Sequence, residues 1–252
     1  VTTAVNTRTR YNDTGRAMLV PLLVDPATNR GRNLDLEVTP HLLISGYTGW
    51  GATSALRLVA AHTARHGIDV QVLDPCPKRV GFTGLEDVGP FVTVHRDLED
   101  VLQAVTDFVT GFEIRFEELD GRAPESHRLL VVDGLERLRK SVVGDGADRC
   151  SVLDALEPVL TLGRAVGYHV AASVSQSFAA RRHFPRAFKD CSALLNLGPT
   201  TSRARTELLG AGPRPAGVPA GRGGGEFADY DGLRAVRTVF VSEDEAREIA
   251  RG

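Results

Sequence analysis

Lysine is nearly missing from this sequence: Lys78, Lys140 and Lys189 are the only ones, and every other basic residue is an arginine. A site that needs an ammonium group has three places to find it. Cysteine is sparse too. Cys76, Cys150 and Cys191 stand too far apart for a C-x-x-C pair, which excludes a sequence-local metal or redox motif and leaves reduced core or loop thiols. No apolar run approaches the ~18 residues of a membrane span. No signal-peptide pattern is present either, so a cytoplasmic protein without a membrane segment is expected. The formal net charge of −2 gives no general attraction to nucleic acid or membrane, so DNA contact would need a local basic patch. What the sequence does have is apolar content: 42% hydrophobic residues over 252 positions is enough for a sizeable core.

Residues 1–16 are polar and rich in Thr, Arg and Asn; a flexible arm is expected there, ahead of a single domain over 17–252. Strand-length apolar runs fall near 18–24, 41–45, 69–74, 91–95, 128–133, 167–176, 192–197 and 237–241, with Leu34, Leu36 and Val38 alternating into the second. Between 97 and 119 the apolar residues recur at three and four, which predicts one long amphipathic helix whose stripe is core packing. Further helices are expected over 55–66, from Ser151, and after Ser242-Glu243-Asp244-Glu245, a capping box. Residues 211–225 read as a Pro/Gly-rich loop. Strands alternating with helices imply an α/β fold: a mostly parallel sheet with helices on both faces.

The strand at 41–45 runs into Gly46-Tyr47-Thr48-Gly49-Trp50-Gly51-Ala52-Thr53-Ser54. Gly46 and Gly51 have the spacing of a phosphate-binding loop, G-x-x-x-x-G-K-[ST], set between a strand and a helix. The backbone parts of that chemistry survive: amides curled by glycine and a helix N-terminus point at phosphate. Thr53 keeps the hydroxyl that the motif assigns to magnesium. The lysine slot, however, holds Ala52, and with it goes the ammonium that neutralises the β and γ phosphates. Arg57 cannot replace it, lying about 500° further round the helix.

The run Arg128-Leu129-Leu130-Val131-Val132-Asp133 ends in a carboxylate. Many parallel strands do so without metal. Paired with the loop upstream, Asp133 reads as the residue that holds a magnesium-bound water, and Thr53 with Asp133 as the candidate metal pair. Gly134 follows where a water-polarising glutamate often stands, and Glu136 is the nearby substitute. Arg181-Arg182-His183 is a compact basic cluster that also reads as a solvated surface patch.

With these segments in place, the chain resembles the motor domain of the FtsK/SpoIIIE family of DNA translocases from about residue 20 to 250. The resemblance rests on Thr39-Pro40-His41-Leu42-Leu43-Ile44-Ser45-Gly46, on Leu73-Asp74-Pro75 with Lys78-Arg79-Val80, and on Gly163-Arg164-Ala165-Val166-Gly167-Tyr168-His169-Val170. Ser175-Gln176, Phe184-Pro185-Arg186, Thr201-Ser202-Arg203, Leu209-Gly210, Gly221-Arg222-Gly223 and the ending Phe240 to Glu245 follow in the family's order. It implies a RecA-like P-loop NTPase fold, ATP and Mg as cofactors, and hexameric rings around double-stranded DNA with nucleotide between neighbours. It makes Gln176 a γ-phosphate sensor and Arg164 and Arg203 candidates for charges near a neighbour's nucleotide. The 140–149 loop, with Lys140 and Arg149, and the Arg181-Arg182 connection would face DNA.

Ala52 and Gly134 are departures from that pattern. Groups that stabilise this transition state contribute ~10³ to 10⁵ in rate, so losing two predicts an inactive relative. The leading expectation is a DNA-associated or partner-binding subunit, in a homo-hexamer or beside an active paralogue in a mixed ring. An active translocase using Glu136 and a neighbour's arginine is the second expectation, and a peptide-binding domain of secretion type the third.

Overall fold

The computed structural model describes residues 11–76, 81–144, 146, 149–181 and 184–252. In chain order the elements begin with β1 (Leu19–Val24), β2 (Gly31–Asp35), β3 (His41–Gly46), α1 (Ala52–Arg65), β4 (Asp69–Leu73), β5 (Val92–His95) and α2 (Leu98–Leu119). Next come β6 (Arg128–Val132), a small hairpin β7 (Val142–Val143) and β8 (Cys150–Ser151), α3 (Val152–Val166), β9 (Tyr168–Ser175), α4 (Gln176–Ala179) and α5 (Ala187–Asp190). The chain closes with β10 (Ser192–Leu197), α6 (Ser202–Leu209), β11 (Gly224–Asp229), β12 (Gly232–Thr238) and α7 (Glu243–Arg251).

Ten strands form one sheet in the order β2-β1-β12-β11-β10-β3-β9-β6-β4-β5. From β10 to β5 neighbouring strands run parallel, and β11, β12, β1 and β2 extend the sheet antiparallel on one side. The parallel strands are apolar on both faces because helices cover both. Leu42 and Ile44 of β3 pack into the layer under α1, whereas Leu43 packs into the layer under α2 and α3. Leu129 and Val131 of β6 divide from Leu130 and Val132 in the same way. Each such fully buried side chain contributes about 1.5–3 kcal/mol, which is why the register of the central strands has no freedom to slip.

Caps settle the helix ends. Ser151 accepts from the Asp154 amide, and Ser242 and Glu245 form the expected reciprocal capping box on α7. Other expectations move. Leu34, Leu36 and Val38 do not feed into β3: β2 ends at Asp35, whose carboxylate accepts from the Glu37 and Val38 amides in a turn, and Val38 is exposed. The late strand lies at Gly232–Thr238 rather than 237–241, and its partner Gly224–Asp229 occupies the end of the supposed loop. The glycines there are needed, since a Cβ at Gly225 would meet the Asn196 carbonyl oxygen at 2.3 Å. The expected arm over 1–16 is described only from residue 11. Residues 1–10 lie outside the described residues, but Asp13 pairs with Arg65 and His66, and Tyr11 donates to His62, so residues 11–16 are seated on α1.

Two buried polar features hold the edges. Arg205, on α6, pairs with the fully buried Glu226 of β11 at 2.9 Å and donates to the Gly212 and Pro213 carbonyls. Below the sheet, His169 Nδ1 bonds the Pro40 carbonyl oxygen, a pure acceptor, so His169 Nε2 takes its hydrogen bond from His127. Burial pushes His41 down to about 3 and His169 to about 4.

Arg205→Ala is expected to cost about 3 kcal/mol in urea unfolding, because it leaves the buried Glu226 carboxylate with only the half-exposed Arg214, 3.7 Å away. The histidines give a pH dependence of known sign. Their folded pKa values lie below the ~6.5 of an unfolded histidine, so as pH falls below that value the unfolded chain takes up protons that the folded chain refuses. Stability should drop by on the order of 1 kcal/mol per pH unit per histidine between pH 6.5 and 4. Unfolding curves for His169→Gln should show a shallower slope over that window.

Candidate nucleotide site

β3 delivers the chain to the centre of the sheet's C-terminal edge. Its last residue, Gly46, is paired with Leu197 of β10 and Ser175 of β9, and a Cβ there would press on Leu197 at 3.2 Å. Tyr47, Thr48 and Gly49 stand exposed at the loop's apex. Gly49 (φ 84°) and Gly51 (φ 105°) are both left-handed, and α1 begins at Ala52 with no side-chain cap. The first-turn amides of α1 are left for an outside acceptor, as in an anion-binding cradle. Trp50 does not block this mouth. Its indole lies over Gly198, where a Cβ would be 2.6 Å from the ring, and its carbonyl accepts from the Gly223 amide at 3.0 Å.

Thr53 Oγ1 donates to Asp133 Oδ2 at 2.8 Å. The other carboxylate oxygen accepts from Ser173 Oγ at 2.5 Å, and Ser173 in turn accepts from the Gly134 amide at 2.8 Å. Asp133 is thereby aimed at the first turn of α1. Asp74, at the end of the adjacent strand β4, joins it: a Cβ at Gly81 would lie 3.2 Å from Thr53 Cγ2, 3.4 Å from Asp74 Oδ2 and 3.6 Å from Asp133 Oδ2. Asp74 is fully buried and pairs with Arg96 at 2.5 Å; its Oδ1 has no partner among the described residues. Burial raises its carboxyl pKa, Arg96 opposes the rise and Asp133 adds to it. The hydroxyl and carboxylates around the Gly81 backbone fit a hydrated magnesium ion, and the bare α1 amides fit the phosphate it would accompany. The lysine slot does not fit, since Ala52 brings no charge.

Arg57 does not fill that gap. Its guanidinium is buried, donating to the Gly81 and Val241 carbonyls and pairing with Glu243 at 2.5 Å. Ser54, expected at the phosphates, is turned the same way: its hydroxyl donates to the Val241 carbonyl and accepts the Val241 amide, both at 3.0 Å.

The fold has counterparts in known proteins. No protein-family model matches the chain. Over 119 residues, 43% of this chain, it is 32% identical to DNA translocase FtsK of Chlamydia pneumoniae, and that match spans 14% of the relative's length. In structure it is similar to the pCW3 conjugation coupling protein TcpA in its monomer form with ATPγS, with a TM-score of 0.72 and 16% identity over 96% of this chain and 73% of that one. It is also similar to ATPases 2 and 3 of Thermomonospora curvata EccC in complex with a signal sequence peptide, with a TM-score of 0.69 and 19% identity over 92% of this chain and 42% of that one. Over its matched stretch the chain is similar in sequence to FtsK. Its RecA-like α/β fold is shared with these P-loop ATPases.

On this RecA-like frame the remaining expected residues divide by sheet edge. Gln176 follows β9 directly beside Gly46; it is buried, and its Nε2 donates to Asn196 Oδ1 at 3.0 Å and to the Leu197 carbonyl at 3.3 Å. Arg203 lies in the first turn of α6, past the end of β10, exposed on the same edge. Arg164 is not brought to the loop. It stands near the end of α3, where β9 begins, at the opposite edge of the sheet, so within one chain it cannot reach this site. There it borders a cleft of about 970 Å³ lined by Phe116, Leu119 and Leu162. Glu136 lies in a short 3-10 turn (Leu135–Leu138), and its Oε2 is buried with no partner among the described residues. Lys140 and Arg149 flank the β7–β8 hairpin, exposed, and Arg181 is exposed over the Phe178 ring at 5.3 Å. Arg182 lies outside the described residues. Sequence reasoning missed Ser173, Arg96 and the role of Asp74. Arg222 gained a place as well: it is exposed on the turn whose Gly223 is bonded to Trp50.

Because Trp50 is the one tryptophan, its fluorescence reports on the loop directly. Gly198→Ala adds a Cβ at φ 84° against the indole and should red-shift the emission, with a loss of about 1–3 kcal/mol in unfolding. Unchanged emission would show that the indole is not seated there.

Proposed function

We propose that this domain is an FtsK/SpoIIIE-like subunit that holds a magnesium nucleotide through backbone amides without hydrolysing it, and acts as a DNA-associated or partner-binding member of a ring. One observation carries the reading. Thr53 and Asp133 keep their 2.8 Å hydrogen bond beside a bare helix N-terminus, while the lysine slot is alanine and the nearest helix cation, Arg57, is committed to Glu243. Binding parts and hydrolysing parts are thus separated. When bound, the nucleotide and its magnesium supply the charge that Thr53 and Asp133 orient. The chain offers Glu136 and Asp74 as carboxylates in place of the residue missing at Gly134, but Asp74 is neutralised by Arg96. An active motor would need its cation from a neighbouring subunit.

DNA is favoured as the associated polymer by the exposed Lys140, Arg149 and Arg181, carried on connections that leave the C-terminal ends of the adjacent strands β6 and β9. Such contacts would read phosphate rather than sequence and would weaken with salt. A peptide partner is a second reading, favoured by the apolar cleft beside Phe116 and Leu162. Among the described residues no helix is long and apolar enough to cross a membrane.

The test follows Trp50 emission while Mg-ATP is added, and then measures phosphate release with and without duplex DNA. Binding without turnover is expected, and Ala52→Lys should tighten binding by roughly 100-fold, the scale of a preorganised charge at phosphate. Turnover in the unaltered protein that vanishes in Asp133→Ala would overturn the proposal.

A further inference from the structure

A second group of metal-ligating atoms lies at the other end of α1, about 20 Å from the loop by helix length. His62 and His66 are four residues apart and so share one helix face. Residues 11–16 cross that face, and one ligand atom from each of Asp13, His62 and His66 falls within 4.8 Å of the other two.

Hydrogen bonds to neighbouring groups orient two of these ligands, His62 and Asp13. His62 Nε2 lies 2.9 Å from the Arg16 carbonyl oxygen, which can only accept, so the proton sits on Nε2 and Nδ1 presents a lone pair. A ligating histidine is commonly oriented in this way, by a backbone carbonyl on its other nitrogen. Nδ1 faces Tyr11 Oη at 2.9 Å and accepts its hydrogen. Asp13 Oδ1 lies 3.0 Å from His66 Nε2, while Oδ2 is held by Arg65 Nε at 2.8 Å. Ion binding would displace the hydrogen that His66 Nε2 donates to Asp13 Oδ1, since a ligating imidazole nitrogen presents a lone pair.

We propose that Asp13, His62 and His66 form a site for a divalent zinc-class ion, with Tyr11 Oη beside the fourth position, clasping residues 11–16 to α1. Two imidazoles and one carboxylate are a borderline donor set that zinc accepts in tetrahedral geometry. The edge of such a tetrahedron is ~3.4 Å, so closing the triangle asks side chains to move on the order of 1 Å. The arginine on the far carboxylate oxygen serves as an outer-shell partner, and the ion would order a segment that lies far from the nucleotide loop.

Zinc chloride titrated by calorimetry into the untagged, chelator-stripped chain should bind at one site with micromolar or tighter affinity and raise the melting temperature. Cobalt should give the visible absorption of four-coordinate nitrogen and oxygen ligation. Asp13→Asn and His66→Ala, each checked for native circular dichroism, should weaken binding more than ~100-fold, beyond what loss of an outer-shell partner costs. His127→Gln, remote from the cluster, should leave it unchanged. The proposal is overturned by absence of binding, by unaltered binding in both Asp13→Asn and His66→Ala, or by a thiolate-to-cobalt band showing that cysteines took the ion.

Discussion

The hydrogen bond from Thr53 to Asp133 joins the first turn of a helix to the tip of a strand two places away in the sheet, and the site is built around it. β6 stops level with Ala172 of the intervening β9 while β3 runs on to Ser175, so α1, returning from the loop after β3, brings Thr53 to Asp133 just past β6. Ser173, on the intervening strand, reaches both Asp133 and the Gly134 amide and fixes the carboxylate's rotamer. A rigid pair of this kind costs little to organise when a cation arrives, because its side-chain entropy is already lost. That pre-organisation does not depend on the lysine slot, so the site keeps a recognisable shape with alanine there.

Much of this fold was legible because its core obeys simple periods. Leu42, Leu43 and Ile44 are apolar in succession, the pattern of a strand covered on both faces, and residues 98–119 repeat at three and four. The glycine spacing of the loop and the carboxylate closing β6 were legible for the same reason: their chemistry is local. What escaped depended on distant chain. Ser54 looked like a phosphate contact until Val241 was placed beside it. Asp74 was visible as an acid after a strand, but its neutralising arginine lies 22 positions on. β11 was hidden by composition, since Gly224 and Gly225 resemble a loop until the Asn196 carbonyl shows why nothing larger fits. The seating of residues 11–16 escaped because a polar segment gives no period; only the facing histidines of α1 reveal its place.

The charges are distributed unevenly. Carboxylates gather at the mouth of the site, and the guanidiniums nearest to them are tied up, Arg57 by Glu243 and Arg96 by Asp74 and Glu86. The exposed arginines, Arg203 and Arg222, stand on surrounding turns. A phosphate chain entering here would meet neutral amides first and exposed positive charge only at the rim.

Arg57 and Ser54 also bolt the first turns of α1 to the segment that opens α7. Glu243 is held on its other side by the Gly84 amide, at 2.7 Å. The helix α7 is thereby tied to the base of the glycine loop through a guanidinium and a hydroxyl, so a displacement of either end must be shared by the other.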